Sequence, residues 1–179
     1  MRLDPKYFNL FLGVCAAVTL VVIIVSTIYY ASKQQQTFRQ ELSEADLSEW
    51  SLYNYASGDS LTVDQFYGSP VVIHFWATWS DMSMELNETL SRLKSEQPDI
   101  VILAAASRDG DDLVKEYMRD QSHDFVYVKG TDLYQGLKVP GVPSQIFVGR
   151  DGEIRDHLVG NDPEQMEQKL RQLTEDLNL

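Results

Sequence analysis

Cysteine is almost absent from this chain of 179 residues, and the only one is Cys15. One cysteine cannot form an intrachain disulfide, which excludes a disulfide-stabilised scaffold. Thiol–disulfide exchange needs an attacking thiolate and a second, resolving thiol, so dithiol redox chemistry within this chain is excluded as well. Because Cys15 lies inside an apolar run, it is most simply a small packing residue.

Basic residues are scarce too: 15 Lys and Arg stand against 27 Asp and Glu, for a formal net charge of −12. Nucleic-acid binding usually depends on a basic footprint, so neither DNA nor RNA is an expected partner. The sequence has no glycine-rich phosphate loop and no His/Cys spacing typical of a metal site. Asp109, Asp111 and Asp112 lack the other positions of a calcium loop and instead indicate a helix start. We therefore predict no cofactor and no metal.

One long hydrophobic run is present, because residues 7–31 carry no charge. About 20 apolar residues suffice to cross a bilayer, and Tyr29 and Tyr30 lie near the end of the run as an aromatic belt would. The alternative is a cleaved signal peptide, whose apolar region is typically only about 7–15 residues long. We predict an uncleaved transmembrane helix over 7–31, preceded by a cytoplasmic segment, 1–6. The polar residues 32–47 are either a helical extension of this helix or a linker.

The remaining residues, 48–179, alternate between strand and helix patterns and predict one α/β domain. The apolar runs 71–77 and 100–106 are typical of buried parallel strands. The tripeptide 150–152 separates two strand-like segments as a hairpin turn would, and Pro163 begins a last helix that is expected to reach about Leu177. A helix between the second and third strands is expected to point three residues inward: Leu113, Tyr117 and Met118.

The stretch Phe75-Trp76-Ala77-Thr78-Trp79-Ser80-Asp81-Met82-Ser83 joins the first buried strand to the helix that follows it. It resembles the active-site turn of the thioredoxin superfamily, in particular the membrane-anchored TlpA/ResA-like branch, where the turn reads Phe-Trp-Ala-Thr-Trp-Cys-x-x-Cys. Ser80 and Ser83 occupy the two cysteine positions. The resemblance implies a thioredoxin-like fold, with a central mixed sheet, flanking helices and an N-terminal hairpin, behind one transmembrane helix. It also implies a bacterial inner-membrane protein whose C-terminal domain is periplasmic or otherwise extracytoplasmic.

A second stretch, residues 137–148, is similar to the family's Tyr-x-Val-x-Gly-x-Pro-Thr-x-Phe-x-Ile motif. In the family this proline is cis and lies beside the active-site turn. The resemblance therefore implies a cis Val142–Pro143 bond. It also implies a groove for a protein or peptide, lined by Trp79, Ser80, Met82, Val142 and Pro143. The alternative is that the proline is retained only because the fold requires a turn there.

Serine is a good helix N-cap, so Ser80 is expected to cap the helix that follows, with Asp81 in its first turn. The alternative, a nucleophilic Ser80, needs a base within hydrogen-bond reach, and the local sequence supplies none. Trp76 is expected in the core and Trp79 at the exposed rim of the turn. Met82 adds soft apolar surface beside the turn that suits a protein contact, or else packs beneath the helix.

Three further residues depart from the family pattern. His74 lies where thioredoxins bury an acid, and a lone histidine on a core strand is more often a satisfied interior group than a catalyst. Leu86 replaces a glutamate that tunes the second thiol in many relatives. Met84 replaces a polar residue, with the same two alternatives as Met82.

Three functions are consistent with these observations. The first is a redox-inactive, membrane-anchored protein that contacts other subunits of a membrane complex as an accessory or assembly factor. TlpA-like relatives serve cytochrome c and oxidase maturation, so a respiratory or electron-transfer complex is the expected neighbour. The second is a thiol–disulfide oxidoreductase whose cysteines have been replaced experimentally by serine. The third is a periplasmic holdase that binds client peptides in the groove.

Overall fold

A computed structural model describes residues 5–175 of the chain. Residues 1–4 and 176–179 lie outside the described residues, and with them the N-terminal part of the predicted segment 1–6 and the predicted helix end at Leu177. The helices are α1 (Pro5–Glu44), α2 (Asp81–Glu96), α3 (Asp111–Asp120), α4 (Thr131–Gly136) and α5 (Pro163–Glu175). The strands are β1 (Leu52–Asn54), β2 (Ser60–Leu61), β3 (Val71–Trp76), β4 (Val101–Ala106), β5 (Val126–Lys129), β6 (Ser144–Val148) and β7 (Ile154–Val159).

The strands form one seven-stranded sheet in the order β2-β1-β5-β4-β3-β6-β7. The central strands β3, β4 and β5 are parallel, whereas β6 pairs antiparallel with β3 and β7 antiparallel with β6. The N-terminal hairpin β1–β2 is added antiparallel at the edge of β5. The predicted mixed sheet, its N-terminal hairpin and its C-terminal hairpin are thus confirmed.

Strand β3 lies at the centre of the fold, and all its residues are buried. Because successive side chains of a strand point to opposite faces, Ile73 and Phe75 enter one core cluster, whereas Val72 and Trp76 enter the clusters on the other face. The first face is covered by α4 and the end of α1, and the second by α2, α3 and α5. Both faces of β3 are therefore sealed, as its continuous apolar run predicts.

Helix α1 continues without interruption beyond the apolar run, so residues 32–44 adopt the helical alternative. Phe38 and Leu42 lie on one stripe of this extension and are buried in the core of the domain, together with Leu47 from a short 3₁₀ turn. The packed domain therefore includes the end of α1 and begins before the predicted boundary at residue 48. Within residues 5–175, α1 is also the one helix long and apolar enough to cross a membrane by length and composition.

The prediction for the inward face of α3 is wrong at one position. Leu113 is 53% exposed, whereas its neighbour Val114 is fully buried against Trp76 and Ala104. Tyr117 and Met118, which follow Val114 by three and four residues, are partly buried in the same cluster. The face that packs on the sheet is therefore the i, i+3, i+4 set that starts at Val114, about 100° around the helix from Leu113.

Truncation of Phe38 tests whether the end of α1 belongs to the domain core. We expect Phe38→Ala to lower the free energy of unfolding by about 3–5 kcal/mol, because it removes a fully buried aromatic side chain and leaves a cavity. Gln36→Ala, at an exposed position two residues earlier on α1, is the matched control and is expected to change it by about 0.5 kcal/mol or less. Urea unfolding of the full chain in detergent, followed by tryptophan fluorescence, measures both. Equal stabilities of the two variants would contradict the docking of α1.

Candidate functional site

The turn between β3 and α2 is closed by Ser80. Its backbone is extended (φ −105°, ψ 105°), its N–H donates to the carbonyl oxygen of Ala77 at 3.2 Å, and its Oγ accepts the N–H of Ser83 at 3.3 Å. Asp81 lies in the first turn of α2, where the helix dipole favours a negative charge. The predicted N-cap is confirmed, and it occupies the hydroxyl of Ser80 as a hydrogen-bond acceptor.

Ser83 lies in the first turn of α2 with its side chain fully buried. Its Oγ has no hydrogen-bond partner among the described residues. A buried hydroxyl without a partner is unfavourable, whereas a thiol behaves as a small apolar group and tolerates such a place. The pocket around position 83 thus suits sulfur better than oxygen, which agrees with the resemblance to a Cys-x-x-Cys turn.

Asp109 ties the turn to the loop before α3. Its carboxylate accepts the N–H of Thr78 at 2.5 Å and the Thr78 hydroxyl at 3.0 Å, and next to this contact Trp79 Nε1 donates to the carbonyl oxygen of Arg108 at 3.2 Å. Asp109 lies before α3, and the acidic residues in the first turn of that helix are Asp111 and Asp112. The sequence indicated a helix start here, but not that Asp109 would hold the turn.

The cis Val142–Pro143 bond implied by the resemblance is present. Strand β6 pairs with β3 so that Ser144 lies opposite Phe75, which places Pro143 at the same end of the sheet as the turn that follows Trp76. The carbonyl oxygen of Pro143 accepts the N–H of Gly160 at 2.9 Å. The two stretches that resemble the family, 75–83 and 137–148, are far apart in sequence but therefore lie at the same edge of the sheet.

The five residues predicted to line a groove differ in exposure. Trp79 is 62% and Met82 53% exposed, and Val142 is half-buried, whereas Ser80 and Pro143 are buried. Any contact with another molecule at this edge would thus be made mainly by the first three. Met84 is partly buried against the cluster around Trp76. Of the two alternatives, Met84 therefore packs beneath the helix, whereas Met82 adds exposed apolar surface.

His74 is fully buried on β3 and is held by two amides. Gln145 Nε2 lies 3.2 Å from its Nδ1, and Asn87 Oδ1 lies 3.0 Å from its Nε2. This pattern fits a neutral imidazole with its proton on Nε2, which donates to Asn87 while Nδ1 accepts from Gln145. Burial lowers the pKa of His74 to about 3, although the hydrogen bond to Asn87 opposes that shift. His74 is therefore the satisfied interior group that the sequence favoured.

The hydrogen bonds continue from His74 to the surface. Asn87 Nδ2 donates to Tyr117 Oη at 2.9 Å, and Tyr117 Oη lies 3.2 Å from Nε2 of His123, which in turn lies 3.7 Å from the exposed carboxylate of Glu88. Burial lowers the pKa of His123 and raises that of Tyr117. Sequence reasoning missed this chain, because Asn87 and Tyr117 belong to different helices and no local pattern links them.

No arrangement of the described residues indicates a metal centre: within 5–175, no group of three or more His, Cys, Asp or Glu is placed to hold an ion. Leu86, where many relatives carry a glutamate, is fully buried in the apolar cluster beneath α2. Cys15 lies exposed on α1, inside the apolar run. The turn therefore offers a capped helix start and an exposed aromatic rim.

The chain is similar in sequence to thiol–disulfide oxidoreductases. It is 25% identical over 124 residues to the thiol-disulfide oxidoreductase ResA of Bacillus cereus, covering 65% of this chain and 70% of ResA. It is 26% identical over 103 residues to the monothiol glutaredoxin-S17 of Arabidopsis thaliana, covering 58% of this chain but only 17% of the plant protein. No protein-family model matches the chain.

Comparison with solved structures identifies the fold. DsbF of MTB superposes with a TM-score of 0.63 at 18% identity, over 71% of this chain and 96% of DsbF. A secreted Mycobacterium tuberculosis disulfide oxidoreductase homologous to E. coli DsbE gives 0.61 at 18% identity, over 72% of this chain and 99% of that protein. The chain has a thioredoxin-like fold. In this thioredoxin-like domain, Ser80 and Ser83 stand at the start of α2, where the resemblance places the family's two cysteines.

The burial of His74 predicts a pH-dependent stability. The folded state binds a proton at His74 only near pH 3, whereas the unfolded chain binds one near pH 6.5. The unfolded state therefore holds more protons between these values, and the free energy of unfolding falls as the pH drops through this window, by up to about 1.4 kcal/mol per pH unit.

We expect His74→Gln to flatten this dependence between pH 7 and pH 4.5. His157→Gln removes a partly buried histidine on β7 and should keep most of the slope. Urea unfolding of the full chain in detergent at four or five pH values measures the slopes. A His74→Gln slope equal to that of the wild type would contradict a buried, neutral His74.

Proposed function

We propose that this chain is a membrane-anchored, redox-inactive thioredoxin-like protein that acts through protein–protein contacts as an accessory or assembly subunit of a membrane complex. The observation that carries the proposal is the turn itself: two serines stand where the fold's thiols belong, while an aromatic and apolar rim remains exposed beside them. The resemblance to TlpA-like proteins makes a respiratory or electron-transfer complex the expected host.

Redox inactivity follows from the chemistry of the two side chains. An alkoxide is not available at Ser80 near neutral pH, and no S–S bond can form between two serines. Ser80 Oγ is engaged as the helix cap, and Ser83 Oγ is enclosed in the core. The one thiol of the chain, Cys15, lies in the apolar run of α1.

Membrane anchoring is supported by α1. No residue of its apolar part, 7–31, is buried, and all of them except Ser26 are exposed. An exposed apolar helix of this length requires lipid or other transmembrane helices around it. The basic residues favour a cytoplasmic N-terminus and an extracytoplasmic domain. We place the protein in a bacterial inner membrane on the strength of the resemblance.

Protein binding is supported by the rim of the turn. Trp79 is exposed, yet its indole N–H is fixed by the carbonyl oxygen of Arg108, so little side-chain freedom remains to be lost on binding. Exposed tryptophan and methionine are enriched at the centres of protein interfaces. Val142 adds a half-buried apolar side chain at the same edge.

Co-purification tests the proposed contact. We expect a partner to be retained when the full chain is isolated from its native membrane in mild detergent, and to be lost at least about 10-fold in Trp79→Ala and in Met82→Ser, since truncating an interface tryptophan commonly costs about 2 kcal/mol or more. Leu113→Ser is the matched control, because Leu113 is as exposed as Met82 but lies on α3. A solitary monomer under all conditions, or equal retention by all variants, would contradict the proposal.

A second candidate is a thiol–disulfide oxidoreductase whose cysteines have been replaced experimentally. The unpartnered hydroxyl of Ser83 favours it, and so do the names of the sequence relatives. Sequencing the native gene decides between the two: cysteine codons at positions 80 and 83 support the enzyme, and serine codons support the accessory subunit.

Introducing cysteine at positions 80 and 83 tests whether the two serines alone account for the proposed lack of thiol–disulfide exchange. We expect Ser80→Cys/Ser83→Cys to form an intrachain disulfide and to catalyse insulin reduction, because the start of α2 would lower the pKa of a thiol at position 80. The wild type and the single variant Ser80→Cys are expected to show no turnover above the uncatalysed reaction. Turnover by the wild-type chain would overturn the proposed inactivity.

A further inference from the structure

A cleft of about 450 Å³ lies between α1 and the loop that follows α4. Helix α1 contributes Tyr30, Lys33, Gln34 and Thr37, and the loop contributes Lys138, Val139 and Pro140. The cleft is distinct from the rim of the β3–α2 turn. Its two walls are held together by Phe38, which lies one residue beyond Thr37 and is buried in the domain core.

The position of the cleft along α1 is set by the apolar run. The apolar run, 7–31, ends one residue after Tyr30, which places Tyr30 near the boundary between hydrocarbon and headgroups, where tyrosine is enriched. Lys33 then lies about 4.5 Å and Thr37 about 10 Å further along the axis. The headgroup region on each side of a bilayer is about 5–8 Å thick. The end of the cleft at Tyr30 and Lys33 therefore lies at the depth of the headgroups, and the end at Thr37 lies just beyond them.

The charge of the cleft is opposite to that of the chain. Its lining contains two lysines and no carboxylate, although the whole chain has a formal net charge of −12. Among the described residues, Lys33 makes no ion pair, whereas Lys138 Nζ donates to Glu41, one turn beyond Thr37 on α1. Glu41 thus holds Lys138 against α1 at the edge of the cleft, while Lys33 is available to an anion.

The backbone of Lys138 has an unusual conformation. Its φ is +53°, a left-handed conformation that helices commonly use for the residue after their end and that is usually filled by glycine or asparagine. Lysine adopts this conformation at a backbone cost. The side chain is 58% exposed, and the neighbouring Val139 and Pro140 line the same cleft. Its ammonium group pairs with Glu41 on α1, a contact that glycine could not make.

We propose that this cleft binds the phosphate-bearing headgroup of an anionic phospholipid. Lys33 neutralises the phosphate. Lys138 stays paired with Glu41 at the edge of the cleft and adds a further hydrogen-bond donor there, and Tyr30 and Thr37 offer hydroxyl groups along the α1 wall. A bound headgroup would bridge α1 and the loop and so fix the tilt of the domain on the membrane surface. The inference rests on the membrane insertion of α1 proposed above, but not on the binding of a protein partner.

Native mass spectrometry of the full chain in mild detergent tests the site. We expect phosphatidylglycerol to be retained about 10-fold more than phosphatidylcholine at equal concentration, because each lysine near an anionic lipid strengthens binding several-fold. The double variant Lys33→Gln/Lys138→Gly should lose this preference. Lys115→Gln, which removes an exposed lysine of α3, should keep it. A double variant that retains phosphatidylglycerol like the wild type would overturn the proposal, as would equal retention of the two lipids by the wild type.

Two further measurements separate lipid binding from misfolding and from the binding of free phosphate. Lys138→Gly removes the positive-φ penalty and also the partly exposed ion pair with Glu41, two small effects that oppose each other. Its thermal unfolding temperature should therefore stay close to that of the wild type, and a loss of lipid cannot then be ascribed to misfolding. Inorganic phosphate at millimolar concentration should not displace phosphatidylglycerol; displacement would assign the cleft to free phosphate and reject the lipid. Flotation of the full chain with vesicles tests insertion of α1 separately, and a chain that fails to float would overturn both this proposal and the anchoring on which it rests.

Discussion

Strand β3 is buried on both faces, so its neighbours in the sheet and the helices that cover it are fixed relative to it. Its register with β4 and β6 places the residues after Trp76 at the edge where the cis Val142–Pro143 bond also lies. An exposed loop could not hold Ser80 at the start of α2 with comparable accuracy, because loops have few buried contacts. The strand thus determines where the turn lies, and Asp109 determines its conformation by binding both polar groups of Thr78.

His74 is the one ionisable side chain on the buried strand β3, and it needs hydrogen-bond partners there. Asn87 of α2 and Gln145 of β6 supply them, and Asn87 in turn donates to Tyr117 of α3. His74 is neutral and takes its hydrogen bonds from two amides, so no charge is buried beside the turn. With a pKa of about 3, His74 is uncharged near neutral pH. The interior beneath the turn is therefore neutral at His74, and both ring nitrogens of this histidine have hydrogen-bond partners.

The parts of the fold that could be predicted are those with local signals. Continuous apolar runs located β3 and β4, Ser80 indicated the cap of α2, and the resemblance supplied the cis proline. The parts that could not be predicted depend on contacts between distant segments. Asp109 reads locally as a helix start, and nothing near Asn87 in sequence shows that it joins His74 to Tyr117. The inward face of α3 was misplaced by one residue, because Leu113 and Val114 are both apolar and only packing against Trp76 decides between them.

Helix α1 packs into the domain, and this packing fixes the distance between the end of its apolar run and the rim of the turn. A flexible tether would let the turn reach any partner within the length of the linker. Here Phe38 and Leu42 fix the helix to the face of the sheet that also carries α4, and the loop after α4 leads directly to Val142 and Pro143. The rim of Trp79, Met82 and Val142 is therefore held at a constant distance from the end of the apolar run. For the accessory subunit proposed above, a partner at this rim would have to present its own surface at that distance from the bilayer, which favours another integral membrane protein over a freely diffusing one.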